Sequence, residues 1–219
     1  MADYKDYGWE EGATNAHGYL YPTLHEMLAE HKGKRILDVG CGNGVIACRL
    51  LADGFDIYGI DASKTGINIA SEKYPGRFFV QDISNEQLPD ALSAFQFDVV
   101  ISTEVIEHLY APRSYMKLIK NILPRGGVVI ISTPYHGYLK NLVMALTNKM
   151  DSHFTVLWDG GHIKFWSRRT LTMLLNEFDF KVTQFRGSGR FPYLWKSMFI
   201  SASLAFSEDS HSRNLTASA

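Results

Sequence analysis

The sequence predicts one α/β domain, a doubly wound and mostly parallel sheet with helices on both faces and an antiparallel strand pair at its C-terminal end. Three observations predict it. Short β-rich runs alternate with amphipathic stretches along the 219 residues, the rhythm of strand–helix–strand units. Two of these runs, 97–102 and 127–133, are almost continuously apolar, as parallel strands buried on both faces are. The first run passes directly into a glycine-rich turn, Gly40-Cys41-Gly42-Asn43-Gly44, placed to open a helix.

Residues 1–33 precede the first strand and carry Tyr4, Tyr7, Trp9, His17, Tyr19 and Tyr21 before a helix over 22–30. Strands follow at 35–39, 55–61 and 77–81, each ending near a Gly or Asp. The helices are 45–52, then 63–74 behind a serine cap, 112–123 opened by proline in its first turn, and 168–178 after Ser167. Residues 134–166 form a connection far longer than the usual length of about 2–6 residues. They hold an amphipathic segment, 138–150, and the aromatics Phe154, Trp158, Phe165 and Trp166. Residues 181–185 and 196–206 read as the antiparallel pair. The expected organisation is a lid and first helix over 1–33, the main domain over 34–206 with a cap inserted at 134–166, and a small polar tail over 207–219, expected to be disordered. No internal repeat or Pro/Gly/Ser-rich linker marks a second domain.

Composition narrows the function. With 46% apolar and 21% charged residues the chain is globular rather than disordered. A net charge of −1 offers no electrostatic argument for duplex nucleic acid or an anionic membrane. Cys41 and Cys48 cannot build a disulfide scaffold, and no C-x2-C pair suggests structural zinc. No apolar run approaches the roughly 18 residues of a membrane span, and MADYKDYGWEEG has no signal-peptide core. A cytoplasmic protein is expected, in which the sequon at Asn214 has no consequence.

The chemistry gathers at strand ends. Glycines in the turn let a ligand approach the backbone without a Cβ in the way. Asp38 lies on the ligand side of that turn. Asp61 closes the second strand, where a carboxylate can accept from both hydroxyls of a ribose, and Asp82 follows the third, within reach of an adenine amino group. In open α/β sheets these positions converge beyond the carboxyl ends of adjacent strands. Gly42-Asn-Gly44-Val-Ile-Ala47 also satisfies the dinucleotide frame G-x-G-x-x-A, so a nicotinamide dehydrogenase stays open at this point.

The segments LDVGCGNG (37–44), YGIDAS (58–63), QDI (81–83), FDVVISTEVIEHL (97–109) and LPRGGVVIISTP (123–134) change that. Together with GGHIKFWSRRTLTMLL and LWKSMFISASL, over roughly residues 17–205, the chain resembles the class I S-adenosylmethionine-dependent methyltransferases, in particular the small-molecule branch of the ubiquinone-pathway O-methyltransferases. The resemblance implies a Rossmann-like sheet of order 3-2-1-4-5-7-6, S-adenosyl-L-methionine as cofactor and S-adenosyl-L-homocysteine as product. It places Gly40, Cys41 and Gly42 at the methionine portion, Asp38 at the turn or the methionine ammonium, and Asp61 with Ala62 at the ribose. Gln81, Asp82 and Ile83 fall at the adenine, and Glu104 near the sulfonium.

Glu104-Val-Ile-Glu107-His108 follows the fourth strand, and at helical spacing its three polar side chains share a face. Some members of the superfamily, including RNA terminal 2′-O-methyltransferases, use such an E-x-x-E-H with a later histidine, here His162, as a divalent metal site; others hold no metal there. The reading preferred from sequence is metal-free, with His108 and His162 as acid–base residues. The aromatics of 1–21 and 134–166 are expected to pack the insert and to close over an apolar, planar acceptor. Lys140, Lys149, Lys164, Arg168 and Arg169 make the insert mildly basic and read as a solvated face, with an anionic-substrate or membrane-surface patch as the alternative. The sequence thus points to methyl transfer onto an oxygen or nitrogen of a small molecule. An RNA 2′-O-methyltransferase and a non-catalytic cofactor-binding module are the alternatives; the acceptor and the oligomeric state are not encoded in any motif.

Overall fold

β1 (Arg35–Val39) pairs in parallel with β2 (Asp56–Asp61) on one side and with β4 (Val99–Thr103) on the other, so that Asp38 sits opposite Gly59 and Ile101. This central position explains the buried pattern of β1 and places its carboxyl end at the middle of the sheet. The computed structural model describes residues 9–206 apart from 11, 13, 84, 85, 155 and 159. Tyr4, Tyr7, the polar tail and Asn214 lie outside the described residues.

Seven described strands form one sheet of order β3-β2-β1-β4-β5-β7-β6, completed by β3 (Phe78–Val80), β5 (Val128–Pro134), β6 (Phe180–Ser188) and β7 (Ser197–Leu204). β7 runs antiparallel to both β5 and β6, and a bulge between Val182 and Gln184 shifts the β6 register. The expected order and C-terminal pair are therefore present, although β6 is longer than 181–185 at both ends.

Side chains alternate between two cores, as the period of a strand requires. Leu37, Val39, Val100, Val129 and Ile131 pack against α4 (Pro112–Ile122) and α7 (Arg168–Glu177) through Tyr115, Met116, Ile119, Leu171 and Leu175. Ile36, Ile57, Val99, Ile101 and Ile130 face α1 (Asn15–Leu28), α2 (Val45–Ala52) and α3 (Lys64–Lys73) through Leu20, Leu24, Ile46, Leu50 and Ile67. The Ser63 hydroxyl caps α3 by accepting from the Gly66 N–H at 3.0 Å, and Ser167 caps α7 at Thr170.

Three local expectations are corrected. The first helix does not begin at residue 22 but at Asn15, where the Thr14 N–H donates to His17 Nδ1 at 2.9 Å. Pro22 lies inside it; burial of Leu20, Tyr21, Leu24, Met27 and Leu28 offsets the roughly 3 kcal/mol that an internal proline costs. The segment 138–150 is two helices, α5 (Tyr138–Leu146) and α6 (Met150–Phe154), broken where Asn148 turns left-handed at φ 53° and the Thr147 hydroxyl donates back to the Val143 carbonyl. Residues 104–108 are not a regular helix. Glu104 has φ 55°, and only Ile106–His108 make a single 3-10 turn.

Candidate active site

A cleft of about 2130 Å³ opens beyond the carboxyl ends of the parallel strands, between the glycine-rich turn and the 134–166 insert. Gly40 and Gly42 have φ of 82° and 55°, which L side chains rarely adopt, and a Cβ at Gly40 would collide with Val105. The Gly40 and Cys41 N–H groups both bond the Ile60 carbonyl, fixing the turn to β2. Asp61 accepts from the Gly42 N–H at 2.9 Å and from the Ser63 N–H at 2.8 Å, so its carboxylate is held in place at the end of β2.

Asp38 is 1% exposed, and its Oδ1 has no hydrogen-bond partner among the described residues. Burial, reinforced by the negative charge of Asp61, pushes its carboxyl up to about 8. A buried carboxyl that lines a cleft with one oxygen unbonded is suited to a cation. Ala62, Asp82 and Ile83 also line the cleft, whereas Gln81 does not: its side-chain amide donates to the Gln87 carbonyl at 2.9 Å.

The N-terminal segment closes one side. The Asn43 amide donates to the Glu10 and Gly12 carbonyls at 3.0 and 3.1 Å, and the Trp9 indole lies against Gly42 and Gly66. Trp9, His17, Tyr19 and Leu20 line the cleft there.

Glu104 is held in its left-handed conformation by three contacts. Its N–H donates to Ser132 Oγ at 3.1 Å, while the Ser132 and Ser197 hydroxyls donate to its two carboxylate oxygens at 2.8 and 3.0 Å. A non-glycine residue in this region costs of order 1–3 kcal/mol and persists where the surroundings over-determine it. Burial pushes Glu104 up to about 7 against these serine bonds and the nearby Lys140.

Because the 104–108 segment is not helical, Glu104 falls outside the cluster that the other two polar residues of its motif join, although its charge still acts on Glu107. Glu107, His108 and His162 come together instead, with one ligand atom from each within 4.8 Å of the others. Both Nε2 atoms lie 4.0 Å from Glu107 Oε1, and the imidazoles meet edge to face at 4.8 Å between centroids. His108 Nδ1 is 2.8 Å from the Gly160 carbonyl, which makes Nδ1 the protonated nitrogen and leaves Nε2 a lone pair. Both Glu107 oxygens are buried and accept no hydrogen bond among the described residues, and burial beside Glu104 pushes this carboxyl well above its usual range. Burial lowers His108, and burial with the neighbouring His108 takes His162 down to about 4.

The aromatics divide. Trp166 packs on the core and donates Nε1–H to the Ile106 carbonyl at 3.4 Å, while Phe154, Trp158 and Phe165 line the cleft. The basic face divides too: Lys149, Arg168 and Arg169 are exposed, but Lys140 is 5% exposed and turned inward. The sequence reading missed Ser132, Ser197 and Arg190, and its preferred reading placed Lys140, which is buried, on a solvated face. None of these residues carries a clear signal: Ser132 shares β5 with Thr133, and Ser197 shares β7 with Ser201 and Ser203.

A parallel sheet with a glycine turn at β1, an acidic residue ending β2 and a cleft at the strand ends defines the class of α/β proteins that hold a nucleoside-bearing cofactor at a topological switch point. A family described as Methyltransferase domain matches residues 13–185, and the chain belongs to it. Two ubiquinone biosynthesis O-methyltransferases are similar to it. That of Roseobacter denitrificans is 36% identical over 117 residues, covering 52% of this chain and 46% of its own. That of Dinoroseobacter shibae is 32% identical over 153 residues, covering 67% and 59%. The chain thus spans about half the length of the curated relatives it matches. Among solved structures, the magnesium protoporphyrin IX methyltransferase from Synechocystis PCC 6803 with bound SAH shares the fold at a TM-score of 0.66 and 17% identity, covering 90% of each chain. Among the described residues no helix is long and apolar enough to cross a membrane.

Proposed function

We propose that this protein is an enzyme that transfers a methyl group from S-adenosylmethionine to an oxygen of a small, planar acceptor in the cytoplasm. The observation that carries the reading is the buried Asp38 carboxyl, whose Oδ1 has no hydrogen-bond partner among the described residues, beside a turn whose Gly40 and Gly42 take positive φ and line the cleft. Those features fit a ligand with a cationic methionine end. The bound cofactor supplies an electrophilic methyl group on a sulfonium. Asp38 holds the ammonium, Gly40, Cys41 and Gly42 admit the methionine backbone, Asp61 with Ala62 holds the ribose, and Asp82 with Ile83 faces the adenine. Glu104, fixed by Ser132 and Ser197, borders the reacting end. The insert and the Trp9 strap exclude water, which suits an in-line displacement that needs mainly positioning and desolvation. The names of the ubiquinone biosynthesis relatives favour oxygen as the accepting atom.

Burial lowers both His108 and His162, so both are neutral imidazoles at pH 7; His108 can receive the acceptor's hydroxyl proton, while His162, brought down to about 4, is a weak base that lies beside it. A second reading rests on the buried Glu107 carboxylate, which faces both imidazoles at 4.0 Å and accepts no hydrogen bond among the described residues. Glu107, His108 and His162 offer a carboxylate and two imidazole lone pairs that fit a divalent cation, which would polarise the acceptor hydroxyl. The net charge of −1 supports a small molecule over RNA as acceptor.

Thermal unfolding with S-adenosylhomocysteine and with NAD tests the cofactor. A ligand that binds only the folded state raises the midpoint, so S-adenosylhomocysteine should raise it and NAD should not. A shift with NAD alone overturns the proposal.

A further inference from the structure

The cleft is electrically divided. Asp38, Asp61 and Asp82 line the half nearest β1 to β3, with Glu104 at the boundary. The opposite half, walled by the insert and the β6–β7 connection, is lined by the basic Lys140, Arg190 and Lys196 and by three imidazoles that burial keeps neutral at pH 7, His108, His153 and His162.

Lys140 is the anomaly in that half. α5 leaves Tyr138, Leu139, Leu142 and Leu146 exposed, yet buries Lys140 on the same inner face as Met144. An amphipathic surface helix does the opposite. A buried ammonium is costly unless paired and hydrogen-bonded. Among the described residues its hydrogen bond is to the Lys196 carbonyl, at a long 3.3 Å. Glu104, the carboxylate that favours its charge, is already engaged by two serine hydroxyls. Burial and the neighbouring Arg190 bring Lys140 down to about 8. Lys140 in turn holds down His136, His153 and His162, and Arg190 acts on His153 in the same direction. These basic groups therefore lie close enough to repel one another around the open space of the cleft.

We infer that this half of the cleft binds an anionic substituent of the acceptor, a carboxylate or a phosphate, with Lys140 and Arg190 as its partners. The inference rests on the methyl-transfer reading above and adds the acceptor's charge to it. A cationic cofactor and an anionic acceptor then occupy oppositely charged ends of one cleft, and the cost of burying Lys140 is recovered when the anion arrives.

The test is calorimetry at pH 7 with 4-hydroxybenzoate, 4-hydroxyphenyl phosphate and phenol, each titrated into the protein alone and into protein saturated with S-adenosylhomocysteine. At least one anion should bind tenfold or more tightly than phenol, and comparison of the two identifies which. Lys140→Met keeps the buried stem and should remove that preference; exposed Arg190→Gln should reduce it about tenfold without burdening the fold. Arg169→Gln, on the far face of α7, should change nothing. Anions no tighter than phenol, a preference that survives both substitutions, or tighter binding of a short ribo-oligonucleotide than of either anion would each overturn the inference. If S-adenosylhomocysteine fails to bind while the Lys140-dependent preference persists, the anion site stands and the methyl-transfer reading falls.

Discussion

Asp38→Asn separates stability from cofactor binding at a single atom pair. The native state holds the Asp38 proton up to about pH 8, whereas an unfolded chain releases it near 3.9. The folded protein therefore binds more protons than the unfolded one between these values, and stability falls as pH rises through that window before levelling off above it. Each pH unit inside the window is worth about 1 kcal/mol or slightly more, so between pH 5 and pH 7 the wild type loses about 3 kcal/mol through this group alone. Asparagine keeps the shape and does not titrate. Urea denaturation of both proteins, without ligand, should show the stability difference moving in favour of the variant by about that amount from pH 5 to pH 7. The same carboxyl should ionise when a methionine ammonium arrives. Wild-type affinity for S-adenosylhomocysteine should then rise with pH from 6 to 8, with proton release detectable as a dependence of binding heat on the buffer. The variant should bind about 1.5–3 kcal/mol more weakly, as for a lost charge-assisted hydrogen bond. A stability difference that stays constant from pH 5 to pH 7 would show the carboxyl already ionised in the folded state and refute the reasoning.

Two further expectations concern other parts of the cleft. Asp61→Ala should weaken S-adenosylhomocysteine binding by about 1.5–3 kcal/mol, and an unchanged dissociation constant in a folded variant removes Asp61 from the site. Replacing His108 and His162 together by alanine should lower turnover by roughly 10²–10⁴ with little change in cofactor affinity; near-normal turnover would leave both as pocket structure. EDTA then decides between their two readings, since activity that survives it belongs to the imidazoles alone, and loss restored by Mn2+ or Mg2+ belongs to the Glu107–His108–His162 cluster.

Much of the fold was legible because its signals are local. The apolar runs of β4 and β5, Ser63 and Ser167 at helix starts, and Pro112 in the first turn of α4 are each read from neighbouring residues. The glycine turn and Asp38, Asp61 and Asp82 were legible for a related reason: topology brings successive strand ends to one cleft whatever the side chains do. Periodicity misled where backbone geometry departs from it. The E-x-x-E-H spacing implied one helical face, but Glu104 is left-handed, so Glu107 and His108 turn toward His162 and Glu104 toward two serines. Pro22 suggested a helix start, and the packing of α1 on β1 and α2 carried the helix through it.

The sequence alone determined the alternation of strands and helices, the glycine turn and the acidic residues that end the parallel strands, since these depend on contacts and dihedrals within a few residues. Only the tertiary structure decided that Asp38 keeps its proton, that Glu107 lies beneath two histidines, and that Lys140 is buried in the cleft that Arg190 also lines. Each of those is a matter of lost hydration and of charges brought together from distant parts of the chain, and neither quantity exists until the sheet and the insert have closed around the cleft.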